Sequence, residues 1–135
     1  MPIVIPTDQV RERLNGDHQF LRATKYWSAQ LLLKVGDEGY VLEIVEGAVR
    51  RFEPGAGLFD RCTAVLGGSE RDWEQLLEPV PPPFYQDFFG AFFQHDFEMA
   101  GDLDAVFSHY WALLRLLDVL RDAVGGVTSG EAAGR

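Results

Sequence analysis

Between Phe84 and Phe97 every second residue, on average, is a ring: Phe84, Tyr85, Phe88, Phe89, Phe92, Phe93 and Phe97 fall within fourteen positions. Each buried aromatic side chain removes roughly 150–250 Å² from water, so this run must be placed before anything else in the chain is. Through Phe93 the rings recur four apart in two adjoining rows, Phe84/Phe88/Phe92 and Tyr85/Phe89/Phe93. That spacing predicts a helix with a broad apolar face starting at Phe84, weakened at Gly90, since glycine costs about 1 kcal/mol relative to alanine in a helix. The period then changes to two. His95, Phe97 and Met99 are expected on one face of a strand, Asp96 and Glu98 on the other. Such a cluster either fills a core by itself or lines a space that holds an apolar guest, and the residues alone leave both open.

Alternation and turn residues organise what comes before. Thr7 is expected to cap a short helix that ends at Asn15-Gly16, followed by a connector through Phe20, Tyr26 and Trp27. Gln30–Val35 and Tyr40–Val45 alternate as strands around the turn Gly36-Asp37-Glu38-Gly39, and Glu46-Gly47 leads to a third at Ala48–Phe52. Leu58–Leu66 reads as a fourth strand, giving a four-stranded meander, with Cys62 as a buried core thiol. Ser69-Glu70-Arg71-Asp72 resembles a capping box opening a helix through Trp73, Leu76 and Leu77. Pro79 and the triplet Pro81-Pro82-Pro83 then act as an extended spacer. Gly101 turns the chain, and Asp102 caps a long amphipathic helix from Leu103 to about Ala123. The expectation is one domain over residues 1–124 and a frayed tail over 125–135.

Charge narrows the partners. With 12 basic against 21 acidic residues, a net charge of −9, a phosphate backbone finds no concentrated basic face, which excludes nucleic acid as a partner. No apolar run reaches the ~20 residues of a membrane span, so stable membrane insertion is not expected. The first residues lack the cationic start and apolar core of a signal peptide, and a single cysteine gains nothing from an oxidising compartment, so the cytoplasm is the default location. His18, His95 and His109 lie on different elements without metal-ligand spacing. Gly55-Ala56-Gly57 and Gly67-Gly68 lack phosphate-loop context, and no serine stands in a nucleophile elbow. No catalytic residue, metal or cofactor is therefore assigned.

The order of pieces is informative where each piece alone is not. The stretch Ala91-Phe92-Phe93-Gln94-His95-Asp96-Phe97-Glu98-Met99-Ala100-Gly101-Asp102 resembles the signature region of the sterol carrier protein family, the nonspecific lipid-transfer domains. Ala64-Val65-Leu66, then Ser69 to Trp73 and Leu76-Leu77, is similar to that family's strand and capped helix. Tyr40–Ile44 with Glu46-Gly47 is similar to its early strands, so the likeness runs from about Ser28 to Arg121. The resemblance implies an α+β fold: a five-stranded, largely antiparallel sheet with helices on one face and a hydrophobic tunnel between the layers. It also implies a non-enzymatic carrier for a fatty acid, an acyl-CoA or a sterol-like molecule.

Carried onto this chain, the resemblance makes Phe92, Phe93, Phe97, Met99, Leu103, Val106, Phe107, Tyr110, Leu114 and Leu117 cavity residues. Phe84, Phe88 and Phe89 extend the same apolar surface, and Trp111 offers a polar tip for a head group, as do Tyr85, His109 and Tyr110. Departures from the family pattern are specific. His95 replaces a glycine, Asp96 and Glu98 replace flanking lysines, the Pro79–Pro83 segment is enlarged, and a Ser-Lys-Leu end is absent. An acidic rim disfavours pickup from anionic bilayers and favours a soluble acyl ligand or a protein client. The alternative expectation is an interaction subunit of the same fold whose cavity is filled by its own rings, acting through a homodimer or an enzyme client.

Overall fold

In the computed structural model, residues 3–55 and 62–133 are described. Two helices, α1 (Thr7–Asn15) and α2 (His18–Ala23), precede three strands, β1 (Ala29–Val35), β2 (Glu38–Val45) and β3 (Ala48–Pro54). β4 (Ala64–Gly68) leads into α3 (Glu70–Leu76), then α4 (Phe88–Gln94), β5 (Glu98–Gly101), α5 (Leu103–Ser108) and α6 (Tyr110–Ala133).

The five strands form one mixed sheet in the order β3-β2-β1-β4-β5. The first three are the expected meander, closed by turns in which Gly36, Glu46 and Gly47 all take positive φ. β4 does not continue it. It returns across the sheet to pair parallel with β1, Leu31 beside Ala64 and Leu33 beside Leu66, and β5 then pairs antiparallel with β4. The four-stranded meander is thus replaced by three strands and a crossover, because parallel partners need a long connection that local alternation does not encode. Alternation does set the faces. Tyr40, Leu33, Leu66 and Met99 stand in one row across four strands, and Phe52, Leu42, Leu31 and Ala64 in the next, all buried.

Helices close the core over this face. Asn15, the last residue of α1, donates from Nδ2 to the Val49 carbonyl (2.9 Å) and accepts from the Val49 N–H (2.8 Å). It thereby satisfies edge-strand groups beside the irregularity between Glu43 and Ile44. The first helix begins without a side-chain cap, Pro6 standing where Thr7 was expected to serve, and the connector through Phe20 contains α2, capped by Asp17 onto the Phe20 N–H. Arg115 of α6 locks that cap, with Nε donating to Asp17 Oδ2 at 2.8 Å. This hydrogen bond holds the Asp17 carboxyl below the usual carboxylate range. The capping box at Ser69 is present with Asp72 as its reciprocal partner.

Other expectations shift for local reasons. The strand expected at Leu58–Leu66 begins only at Ala64, residues 58–61 lying outside the described residues, and Cys62 is exposed rather than buried. α6 continues through Gly125 to Ala133, so helical backbone occupies most of the segment read as a frayed tail. Glycine weakens a helix by about 1 kcal/mol without forbidding it, and no proline follows to stop it.

Candidate functional site: an aromatic ridge shared by three helices

The aromatic run divides into an inner and an outer set. α4 starts at Phe88, not Phe84, because Asp87 caps it by accepting the Gly90 N–H at 2.7 Å. Phe84 lies in a turn ahead of the helix with φ +66°, half exposed (52%), its ring edge-on to His95. Gly90 is there because the chain before the helix crosses it closely: a Cβ at this position would lie 2.9 Å from the Phe84 carbonyl oxygen. Arg121 of α6 pins this approach. It donates to the carbonyls of Leu76 (2.7 Å), Tyr85 (2.9 Å) and Gln86 (2.8 Å), clasping the proline-rich spacer to the last helix.

Phe88, Phe97 and Trp73 form the inner set. Their ring centroids are 5.6–5.7 Å apart and all three are buried. Trp73 Nε1 donates to the Lys34 carbonyl at 2.7 Å, so the indole is oriented as well as packed. Met99, Val106 and Leu117 are likewise buried in the core, and Leu114 is half-buried.

The outer set gathers where the expected single long helix breaks. α5 ends at Ser108 and α6 starts at Tyr110. At the break His109 stacks on Trp27 (3.8 Å, 6° between planes), and its Nδ1 lies 2.8 Å from the Ala105 carbonyl. Around it Phe89 meets Tyr110 (4.7 Å) and Phe107 (5.2 Å), Phe107 meets Phe93 (6.4 Å), Phe93 meets Phe92 (5.1 Å), and Tyr110 meets Trp111 (5.5 Å). These rings grade outward: Phe89 is buried, Phe92 and Tyr110 half-buried, and Phe107 (42%), Phe93 (65%) and Trp111 (73%) exposed. The Tyr110 hydroxyl donates to Asp87 (3.3 Å), and burial, with this carboxylate beside it, pushes the phenol pKa up. The result is a continuous aromatic ridge shared by α4, α5 and α6, with its inner edge on the core and its outer edge in water.

On the far side of α4, Tyr85 stacks on His95 (4.0 Å) and donates from its hydroxyl to Asp72 (2.9 Å). His95 Nε2 is 3.2 Å from the Pro83 carbonyl, so its partner is backbone and not Asp96. Tyr85, expected near a mouth, thus sits with His95, Arg71 and Asp96 in a polar surface cleft of about 680 Å³. A second surface cleft, about 900 Å³, is lined by Arg13, Asp17, Arg115, Asp118, Arg121 and Asp122 among others, largely charges already paired with one another. A third, about 720 Å³, lies between the first residues and the Gly36-Asp37 turn. The fourth, about 330 Å³ and mostly apolar, is lined by His18, Gln19, Arg22, Ala23 and Trp111, beside the aromatic ridge. None of these four is lined by Phe88, Phe97 or Met99, so the tunnel that the resemblance implies is not among them.

Among the described residues no three of His, Cys, Asp and Glu stand together as a metal site, and no helix is long and apolar enough to cross a membrane. Sequence reasoning missed two residues that flank the aromatic ridge from outside the run, Trp27 against His109 and Arg22 in the cleft beside Trp111. Trp27 carried a weak signal in the ring-rich connector, whereas Arg22 carried none.

Comparison with known proteins places the fold. No family model and no curated protein matches the sequence. A crystal structure of sterol carrier protein 2 superposes with a TM-score of 0.71 at 21% identity, covering 86% of this chain and 93% of that one. A conserved hypothetical protein of Thermus thermophilus, described as a suggested sterol carrier protein, gives 0.68 at 21% identity, with 86% and 84% covered. The apo form of sterol carrier protein 2 from Yarrowia lipolytica gives 0.51 at 17% identity, with 85% and 88% covered. The chain has the sterol carrier protein 2 fold: an α+β architecture with a mostly antiparallel five-stranded sheet and one parallel pair.

Proposed function

We propose that this chain is a non-enzymatic carrier that takes an apolar ligand of fatty-acyl or sterol-like size between its helices and sheet, entering at the aromatic mouth. Two things support the reading: the shared fold, and the proteins named as sterol carriers that share it. The observation that carries it is the graded ridge, with packed rings at Phe88 and Phe97 passing through Phe89, Phe92 and Tyr110 to exposed Phe93, Phe107 and Trp111. Three large apolar side chains left in water along one ridge gain burial when a guest covers them.

The mechanism is burial. Each CH₂ removed from water contributes about 0.8 kcal/mol, so a sixteen-carbon chain, about 13 kcal/mol gross, reaches micromolar affinity after ordering costs of about 4–5 kcal/mol. Exposed rings change rotamer on the ps–ns scale, so Phe93, Phe107 and Trp111 open the mouth without moving the sheet. Phe89, Phe92, Tyr110 and Leu114 then receive the chain, while Phe88, Phe97, Met99, Val106 and Leu117 form the floor, and Phe84 stands apart. The acidic surface disfavours docking on anionic bilayers, so we assign uptake of a monomeric ligand from solution, and the cytoplasm is the compartment we assign.

Native mass spectrometry of the full chain after incubation with dodecanoate, palmitate or cholesterol tests this. A one-to-one adduct is expected for at least one of them, and the Phe107→Ala/Trp111→Ala double variant is expected to lose most of it. No adduct with any of the three would refute the reading.

One observation favours a second reading. The Trp73–Phe88–Phe97 cluster is closed, each ring pair contributing about 0.5–1.5 kcal/mol beyond its buried area. A chain whose interior is filled this way would use its exposed rings to hold a second copy or a client protein. Concentration-dependent dimerisation in sedimentation velocity without lipid uptake would establish that reading over the carrier.

A further inference from the structure

The chain is strongly acidic overall, yet the ten residues from His18 to Trp27 contain His18, Arg22 and Lys25 and no carboxylate. Asp17, just ahead of them, is committed to Arg115, and among the described residues no carboxylate pairs with Arg22. Arg22 instead lines the 330 Å³ apolar cleft whose other wall is the exposed indole of Trp111. From Trp111 the ring contacts run without interruption through Tyr110 and Phe89 to Phe107. One end of this path is therefore a guanidinium with no carboxylate partner among the described residues, and the other is the aromatic ridge. A protein of charge −9 repels a free anion over most of its surface, so an anion settles where the local cations are unneutralised.

We propose that the cleft between α2 and the first turn of α6 is a head-group subsite, and that Arg22 makes the chain selective for anionic over neutral single-chain amphiphiles. Arg22 donates to the carboxylate, His18 lies beside it, and the Trp111 indole covers the first methylenes before the tail passes Tyr110 into the mouth. A guanidinium holds a carboxylate through charge-assisted hydrogen bonds, and its planar face also stacks on an indole. The subsite is open to water, so the preference is modest, about 3–10-fold, and it falls as salt rises. The inference rests on the carrier reading above and adds the charge class of its ligand.

Isothermal titration of the full chain at pH 8 and low salt, with dodecanoate and 1-dodecanol kept below their aggregation limits, tests it. Dodecanoate is expected to bind about 3–10-fold more tightly than the alcohol. Arg22→Gln is expected to bring dodecanoate to the level of the alcohol and leave the alcohol unchanged. Arg71→Gln, which removes a charge from the opposite cleft, is expected to change neither. Equal affinity for acid and alcohol in the parent chain, or equal effects of the two arginine variants, would overturn the subsite while leaving the carrier reading intact. Binding of neither ligand would remove both.

Discussion

Gly90→Ala sets two opposing effects against each other, and the structure decides which wins. Alanine in place of glycine inside a helix stabilises by about 1 kcal/mol when the position is otherwise unconstrained. At Gly90 the new Cβ would sit 2.9 Å from the Phe84 carbonyl oxygen and 3.3 Å from that residue's carbonyl carbon and Cα. These are backbone atoms, and they cannot swing away as a side-chain tip would. The Tyr85 N–H is tied to the Pro82 carbonyl (3.0 Å), and the carbonyls of Tyr85 and Gln86 are held by Arg121. Forcing such a contact costs about 2–3 kcal/mol, so the net effect is a destabilisation of about 1–2 kcal/mol. Gly125→Ala is the matched control: it also lies in a helix, and nothing approaches its added Cβ within 4 Å. That variant should gain up to about 1 kcal/mol. At about 3–5 °C per kcal/mol for a chain of this size, thermal unfolding followed by circular dichroism should show Gly90→Ala melting several degrees lower and Gly125→Ala slightly higher. If both variants rise together, the close crossing of the Phe84 turn over the aromatic helix is wrong, and with it the placement of the mouth.

Further outcomes follow from the Arg121 clasp and the half-buried Asp17–Arg115 ion pair. Arg121→Met removes three hydrogen bonds to carbonyls from a largely buried guanidinium, whose pKa burial already lowers, and should cost about 2–4 kcal/mol in chemical denaturation. Asp17 has its folded-state pKa depressed by the Arg115 hydrogen bond, so its stabilisation is complete above the ordinary carboxylate range and is lost as pH falls through that range towards the folded value. Arg115→Met should therefore lower stability by about 1 kcal/mol at pH 7 and flatten the stability profile through and below the ordinary carboxylate range, as measured by urea titrations at each pH.

What the sequence encoded locally, it displayed. Period-two alternation located β1 to β3, Gly36 and Gly47 marked the first two turns, and Ser69 with Asp72 announced α3. Alternation placed β5 too early, from His95, whereas His95 ends α4 and the strand starts at Glu98. Phe97 and Met99 share the buried face expected of them. The parallel β1–β4 pairing was hidden because a strand's partner across a crossover leaves no mark on its own alternation. The start of α4 was hidden because Asp87 sits inside the aromatic rows, and four-residue ring spacing continues backwards past the cap into a turn. The break at His109 was hidden for a related reason: the apolar stripe runs across it, and the residue that stacks against the break, Trp27, is remote in sequence. Of the mouth, the exposed rings were named by their type, but which of them face water depends on that break. The apolar cleft beside Arg22 and Trp111 was illegible, since it needs α2 and α6 brought side by side.

Intermolecular NOEs between protonated dodecanoate and the aromatic ring protons of the otherwise deuterated chain test the carrier reading most directly. Cross-peaks are expected from the terminal methyl and mid-chain methylenes to Phe89, Phe92, Phe107 and Tyr110, and from the carbon next to the carboxylate to Trp111. A bound ligand whose tail shows contacts only to residues outside α4, α5 and α6, or no contacts at all at saturating concentration, would contradict it.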